Sequence, residues 1–476
     1  MRNLESFKKI LTVTRRIKVE CFIVYNNNIE GRIDPFYYKP EFRQLVYKLS
    51  KINHKELSEV IEFSKDVWDQ KSTFNTEFPY IEINNINLDT GKITGISYYE
   101  NSKAPSRAKM IVKENDIIIS TTRPNRGAIS LINKEFDGFI ASTGFTVLRK
   151  LKMEGVKREY LFYFLRTQLS LKQMLQRSSG GNYPAITAEE LKHVLVPIPS
   201  IESQNKIIAL MQKAYQIMEQ INSKVQQIID SIGTYILGEL GIKMPQLIGK
   251  THNIVYSINS NYLVSNRWDP YYYQPNFKGV EKAIENGKYE TKKIGEILTV
   301  NDKFEDISKY NQIKYIDLAS IRKDIGLVES IKTFYPTEAP SRARQKLEYG
   351  DLLLSSLNGS LTSIAVFDKK ENNYIASTGF FIIKKSDEYN NIYLWALFRS
   401  SPYQLLLSRE ASGAIMSSIN RDSLSNIRIP LPIIEIQNKI AEEVKNRIQQ
   451  VEKLQKEAKE VLENAKKDVE MLILDG

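Results

Sequence analysis

Arginines set among small residues are the plainest chemistry this sequence offers. Ala104 to Ala108 reads A-P-S-R-A and carries Arg107, with Lys109 close behind; the same five letters return at Ala339 to Ala343 with Arg342, followed by Arg344. A guanidinium in such a loop suits a phosphate contact or a bidentate grip on guanine, or else an internal salt bridge. Because both copies keep it, a shared task such as phosphate positioning or internal structure fits better than reading a base. Ser120 to Gly127, S-T-T-R-P-N-R-G, supplies Arg123, Asn125 and Arg126, whereas its counterpart Ser355 to Ser360, S-S-L-N-G-S, supplies Asn358 and Ser360. Base readers should differ between copies, and Arg with guanine and Asn with adenine are the favoured pairs. The competing reading is an ordinary polar turn. A third loop, Ser178 to Thr187, holds Asn182 and Tyr183 among glycines that either admit a phosphate or merely end the preceding helix.

Catalysis finds less support. D-P-F-Y-Y at Asp34 and D-P-Y-Y-Y at Asp269 invite comparison with the D-P-P-Y loop of amino-methyltransferases, but the second proline is missing and no Gly-rich cofactor turn is evident. An aromatic anchor packed on a coiled coil or a sheet is the reading adopted, and no catalytic residue or cofactor is assigned. His54, His193 and His252 are scattered, with Cys21 the only cysteine, so no metal site is expected and a disulfide within the chain is excluded. A net charge of +11 points to an anionic partner such as nucleic acid. The basic N-terminal stretch lacks the apolar core of a signal peptide, and no apolar run approaches membrane-spanning length. The expectation is a cytoplasmic protein with no membrane association.

The elements that must hold these loops occur twice. Arg32 to Phe42 (R-I-D-P-F-Y-Y-K-P-E-F) recurs as R-W-D-P-Y-Y-Y-Q-P-N-F from Arg267, 235 residues on. The same offset carries Asp116-Ile-Ile-Ile-Ser onto Asp351-Leu-Leu-Leu-Ser and I-A-S-T-G-F at Ile140 onto I-A-S-T-G-F at Ile375. Such a period marks a duplicated architecture. Tyr80 to Ile86, Asp116 to Ser120, Ala128 to Ile132 and Phe139 to Leu148 read as strands. Tyr160 to Arg177 reads as one helix burying Leu161, Phe164, Leu165, Leu169 and Leu175. Lys243 to Ser260 reads as a linker.

Each copy closes on a long amphipathic helix. In the first, Ile207, Ala214, Ile221, Ile228 and Tyr235 stand seven apart, Leu210 and Ile217 share the seam, and Met211, Met218, Val225 and Ile232 widen it. In the second, Val444, Val451, Ala458, Ala465 and Leu472 repeat the spacing beside Ile440, Leu454 and Val461, with Arg447 and Asp468 as polar interruptions. Both begin alike, V-P-I-P-S-I-E-S-Q-N-K-I and I-P-L-P-I-I-E-I-Q-N-K-I. A pseudo-twofold between the copies would pair these helices antiparallel, as a rod of about 55 Å with a globular part at each end. The alternating charges of Lys445 to Lys467 then form its wet face or a surface for partner subunits.

Two diverged units in this order of motifs resemble the specificity subunit of type I restriction-modification systems. The resemblance runs from about Arg32 onward. It implies an α/β mixed (α+β) fold: a first target recognition domain over 1–200, a helical spacer over 201–242, a linker and second recognition domain over 243–433, and a second spacer helix over 434–476. It further implies double-stranded DNA as ligand, with methyltransferase and restriction-motor subunits as partners supplying all catalysis. Each domain would read one half of a bipartite, asymmetric target, and Arg107, Lys109, Arg123, Asn125, Arg126, Asn182, Tyr183, Arg342, Arg344, Asn358 and Ser360 are the candidate contacts. The alternatives are a diverged DNA methyltransferase or nuclease acting alone, and a coiled-coil assembly protein without a nucleic-acid role.

Overall fold

Asp34 shows how the first repeated motif folds: its carboxylate accepts the Tyr37 N–H at 3.0 Å, and the turn buries Tyr37, Tyr38 and Phe42. Asp269 accepts the Tyr272 N–H at 2.9 Å in the same way. The aromatic anchor is therefore structural, and the helix it opens, Pro40–Ser50, packs on a short helix and on the strand Leu195–Pro197. Gln176 on a short helix donates to the Tyr37 carbonyl, and in the second copy Arg409 lies over Tyr272. The computed structural model describes residues 22, 24, 29, 32–69, 74, 76–247, 257, 269–411 and 417–475. Most of the expected linker, with Cys21 and His252, falls outside them. The chain divides into two compact units, 1–219 with 458–476 and 220–457.

Unit 1 contains two four-stranded sheets. One is antiparallel, in the order Ile61–Phe63, Phe145–Leu151, Ile117–Ser120, Ile129–Leu131. The other runs Ser97–Glu100, Glu77–Ile81, Ile140–Ser142, Ala108–Ile111, with a parallel pairing that sets Tyr80 beside Ile140. Unit 2 repeats that pairing as Tyr315 beside Ile375, so the 235-residue offset holds down to register. The expected strand Phe139 to Leu148 is two strands, because A-S-T-G-F is a turn: Ser142 Oγ accepts the Gly144 N–H at 3.1 Å, and Ser377 does the same for Gly379. The other half of that device is A-P-S-R-A, whose Arg107 carbonyl takes the Thr143 N–H while Arg342 takes that of Thr378. The repeated aspartate is internal too: Asp116 is gripped by Arg149 and Asp351 by Lys384, both beneath the surface.

The helix expected over Tyr160 to Arg177 is broken into Arg158–Leu165 and Gln168–Gln176. Thr167 ends the first by turning its hydroxyl onto the Phe164 carbonyl at 2.8 Å and stands before the second in an extended conformation. Unit 2 repeats the break between Asn391–Arg399 and Ser401–Glu410.

The long helices span Ile201–Glu239 and Ile434–Leu474. The first half of one shares a unit with the last part of the other, as antiparallel pairing requires. In unit 2, Ile232, Ile236 and Leu240 are buried in one core with Ile440 and Val444, and Arg447 donates to the Ser231 carbonyl at 2.8 Å. The seam follows the seven-residue line through Ile207, Ala214 and Ile221 on the first helix and Val444, Val451, Ala458 and Ala465 on the second, and departs from it elsewhere. Met211, Met218, Val225 and Ile232 are fully covered, whereas Leu210, Ile217, Ile228 and Tyr235 are half covered and Ile236 takes over at the end. On the second helix Leu462, Val469 and Ile473 replace Val461 and Leu472, and Asp468 faces solvent, so only Arg447 interrupts the seam. A helix of 3.6 residues per turn drifts off a strict seven-residue line, which moves the buried stripe. The repeated Gln of the helix starts is a latch: Gln204 accepts the Lys157 N–H and donates to Gly155 and Pro199, while Gln437 accepts the Asn390 N–H and donates to Pro432.

Candidate nucleic-acid interface

The strand Ile117–Ser120 ends in the loop that carries Arg123 and Arg126, and a short 3-10 turn, Pro124–Arg126, aims it. Arg123 adopts a left-handed conformation, φ 49°, which costs a non-glycine residue about 1 kcal/mol or more. Two contacts offset that strain. Its N–H donates to the Pro184 carbonyl at 2.6 Å, and its guanidinium lies 4.1 Å from the centroid of the Tyr183 ring, contributing on the order of 1 kcal/mol each. Thr122 also bridges Ala185, so the loop Ser120 to Gly127 and the glycine loop Ser178 to Thr187 are strapped together. Those glycines shape the site and do not end the helix, which stops at Gln176: Gly180 has φ +94° and approaches the Tyr183 carbonyl closely.

These residues enclose a cleft of about 500 Å³ lined by Tyr80, Arg107, Arg123, Arg126, Ser142 and Tyr183, with Glu82, Asn84, Thr122 and apolar residues completing it. Among the described residues neither Arg107 nor Arg342 forms an ion pair, so the internal salt-bridge reading of A-P-S-R-A has no support. The Glu82 N–H donates to Asn85 Oδ1 in the turn Ile83–Asn85, and its side chain stays in the lining as the one acidic group beside three arginines. Burial holds the Tyr80 hydroxyl above its ordinary range, so it stays a neutral hydrogen-bonding group beside Ser142. The arrangement is a cationic, aromatic-sided hollow suited to anionic or guanine-like acceptors.

The other candidates in unit 1 stand apart from the cleft lining. Lys109 is exposed on the strand Ala108–Ile111, Asn125 is exposed on the 3-10 turn, and Asn182 is exposed on the glycine loop. In unit 2, Arg342 is exposed, while Arg344 is turned back onto the Ser341 carbonyl at 3.0 Å. Asn358 donates to Ser417 Oγ at 3.1 Å, and the Ser360 N–H donates to the Leu357 carbonyl. The residues matching Arg126 and Thr122 are Leu361 and Leu357, so the second unit's loop is less cationic. Tyr80 and Ser142 were missed by the sequence reading. Their presence at matching points of both units, as Tyr315 and Ser377, was the available signal.

A buried arginine in unit 1 and a half-buried one in unit 2 hold the loops by their carbonyls. Arg166 donates to the carbonyls of Gly127, Ile129, Leu88 and Asp89 at 2.8 to 3.1 Å. Arg399 does the same for Thr362, Lys323 and Asp324, and burial lowers its guanidinium to about 10.

Fold and site together define a duplicated protein presenting variable polar loops on repeated scaffolds. The family model for the type I restriction modification DNA specificity domain matches residues 50–227 and again 286–464. The chain belongs to this family, and its function is that of a DNA specificity subunit. It is 24% identical over 377 residues to the type I restriction enzyme MjaVIII specificity subunit of Methanocaldococcus jannaschii, covering 77% of this chain and 80% of that one. It is 28% identical over 133 residues to the HindI specificity subunit of Haemophilus influenzae, covering 27% of this chain and 29% of that one. A chain from a solved structure concerned with complex assembly and conformational transition of the type I R-M system aligns over 88% of this chain and 96% of that one, with 21% identity and a TM-score of 0.47. Among the described residues no helix is long and apolar enough to cross a membrane.

Proposed function

We propose that each unit reads one half of a bipartite duplex target and that the paired long helices set the gap between halves. The observation that carries this is that the family domain occurs twice on one scaffold while the loops after the central strand differ: Arg123, Asn125 and Arg126 in one, Asn358 and Ser360 in the other. Identical loops would read identical halves; these should read different ones, making the target asymmetric. Arg107 and Arg342, the same residue at the same turn in both units, are assigned to phosphate, with Lys109 and Arg344 beside them. Asn182 and Tyr183 extend the contact surface of the first unit.

The chain itself supplies recognition, and methylation and cleavage belong to methyltransferase and restriction-motor subunits that dock on it in the cytoplasm. The alternative, a methyltransferase or nuclease acting alone, lacks a cofactor turn or catalytic set to carry it. Mapping methylated adenines in a host carrying the whole system tests the reading: a two-part sequence with unlike halves is expected. A continuous or palindromic motif would refute it, as would methyl incorporation into DNA by the purified chain alone with labelled S-adenosylmethionine.

A further inference from the structure

The two units differ at one point in more than residue type. Arg123 and Asn115 are the only non-glycine residues with positive φ among those described, and the counterpart of Asn115 is Gly350, φ 92°, so that position is a turn requirement shared by both units. Arg123 is different: its counterpart Asn358 lies outside the left-handed region, and the strain exists in unit 1 alone. It is held there by the Pro184 carbonyl and by the face of Tyr183. Stacking covers one face of the half-buried guanidinium, and among the described residues its paired N–H donors have no protein partner. A planar fork held still in this way matches the O6 and N7 acceptors of guanine in the major groove.

We infer that unit 1 reads a guanine through Arg123, and that unit 2 accepts adenine rather than guanine at the corresponding position through Asn358. This rests on the proposed division of the target between the units and names one base in each half. In unit 2 the fork is absent, Leu361 stands where unit 1 has Arg126, and Ser417 takes one N–H of the Asn358 amide, leaving its carbonyl oxygen to accept from the adenine amino group and its second N–H to donate to N7. Arg126 and Arg107 line the same cleft and bring positive charge to the backbone beside the read base.

The test is selection of randomised duplexes by the full chain in complex with its methyltransferase subunits. The native protein should select a two-part sequence with a guanine in one half. Arg123→Gly keeps the left-handed backbone at no cost and removes the fork, so it should lower discrimination for that guanine by about 10- to 100-fold while the other half stays unchanged. Arg123→Asn should move the preference there toward adenine. A selected two-part sequence that Arg123→Gly leaves intact at every position overturns this inference alone, and so does an equal loss on all sequences, which would make Arg123 a backbone contact. Selection of no sequence at all would remove both this inference and the function on which it rests.

Discussion

Replacing Gln204 by Leu should loosen unit 1 at the start of its long helix while leaving unit 2 untouched. The side chain is fully buried and makes three hydrogen bonds of 2.8 to 3.0 Å, accepting from Lys157 and donating to the carbonyls of Gly155 and Pro199. At about 1 kcal/mol net for each, their loss totals about 3 kcal/mol, and the apolar replacement returns about 1 kcal/mol through burial. The expected destabilisation is about 2 kcal/mol, or about 30-fold in the opening equilibrium. Gln204→Glu should cost more, since it keeps the acceptor for Lys157 but buries a carboxylate against two carbonyl oxygens. Hydrogen exchange of the amides in Arg158–Leu165 reads the effect, with Asn391–Arg399 as the internal control. The matching Gln437→Leu should reverse the pattern. Equal protection in the variant and native chain, or a Glu variant as stable as the Leu one, would refute the latch.

Glu470 caps the helix Gln168–Gln176, its carboxylate taking the Gln168 N–H at 2.6 Å, and burial pushes its carboxyl above the usual range although the N–H groups of Gln168 and Leu169, and then Lys172 and Lys466, oppose this. A carboxyl raised by folding favours the folded state below its unfolded value, and that contribution is lost as pH rises through the folded one. Protection of this helix should therefore fall as pH climbs above the ordinary carboxyl value of 4.5, and Glu470→Gln should flatten the profile; parallel profiles would exclude Glu470 as the cause. Arg447→Ala should destabilise unit 2 by about 1 to 2 kcal/mol in urea titrations through loss of the Ser231 contacts, and an unchanged midpoint would mean the pair is replaced by water. Arg107→Ala should weaken binding to all duplexes alike and reduce the logarithmic salt slope by about one; a loss confined to one sequence would make it a base reader. One extra heptad in each long helix adds about 10 Å, so the tolerated spacer should grow by about three base pairs. An unchanged spacer would show that something other than helix length sets it.

The sequence alone determined the duplication, the two long helices and the loops that vary between copies. Those features are local: a hydrophobic period, a proline lead-in and a repeated string survive in one dimension. It also determined that A-P-S-R-A and A-S-T-G-F matter twice, but not that they are two sides of one turn, since the bond from Thr143 to the Arg107 carbonyl joins residues far apart in the chain. The buried seam of the long helices was legible only to within a residue, because drift of the stripe is decided by what packs on it. Which candidates share a site was a tertiary decision. Arg107, Arg123, Arg126 and Tyr183 come from three loops, and backbone pairings between distant residues, Thr122 with Ala185, Arg123 with Pro184 and Thr143 with Arg107, bring them around one cleft, while Lys109, Asn125 and Asn182, near neighbours in sequence, lie outside its lining.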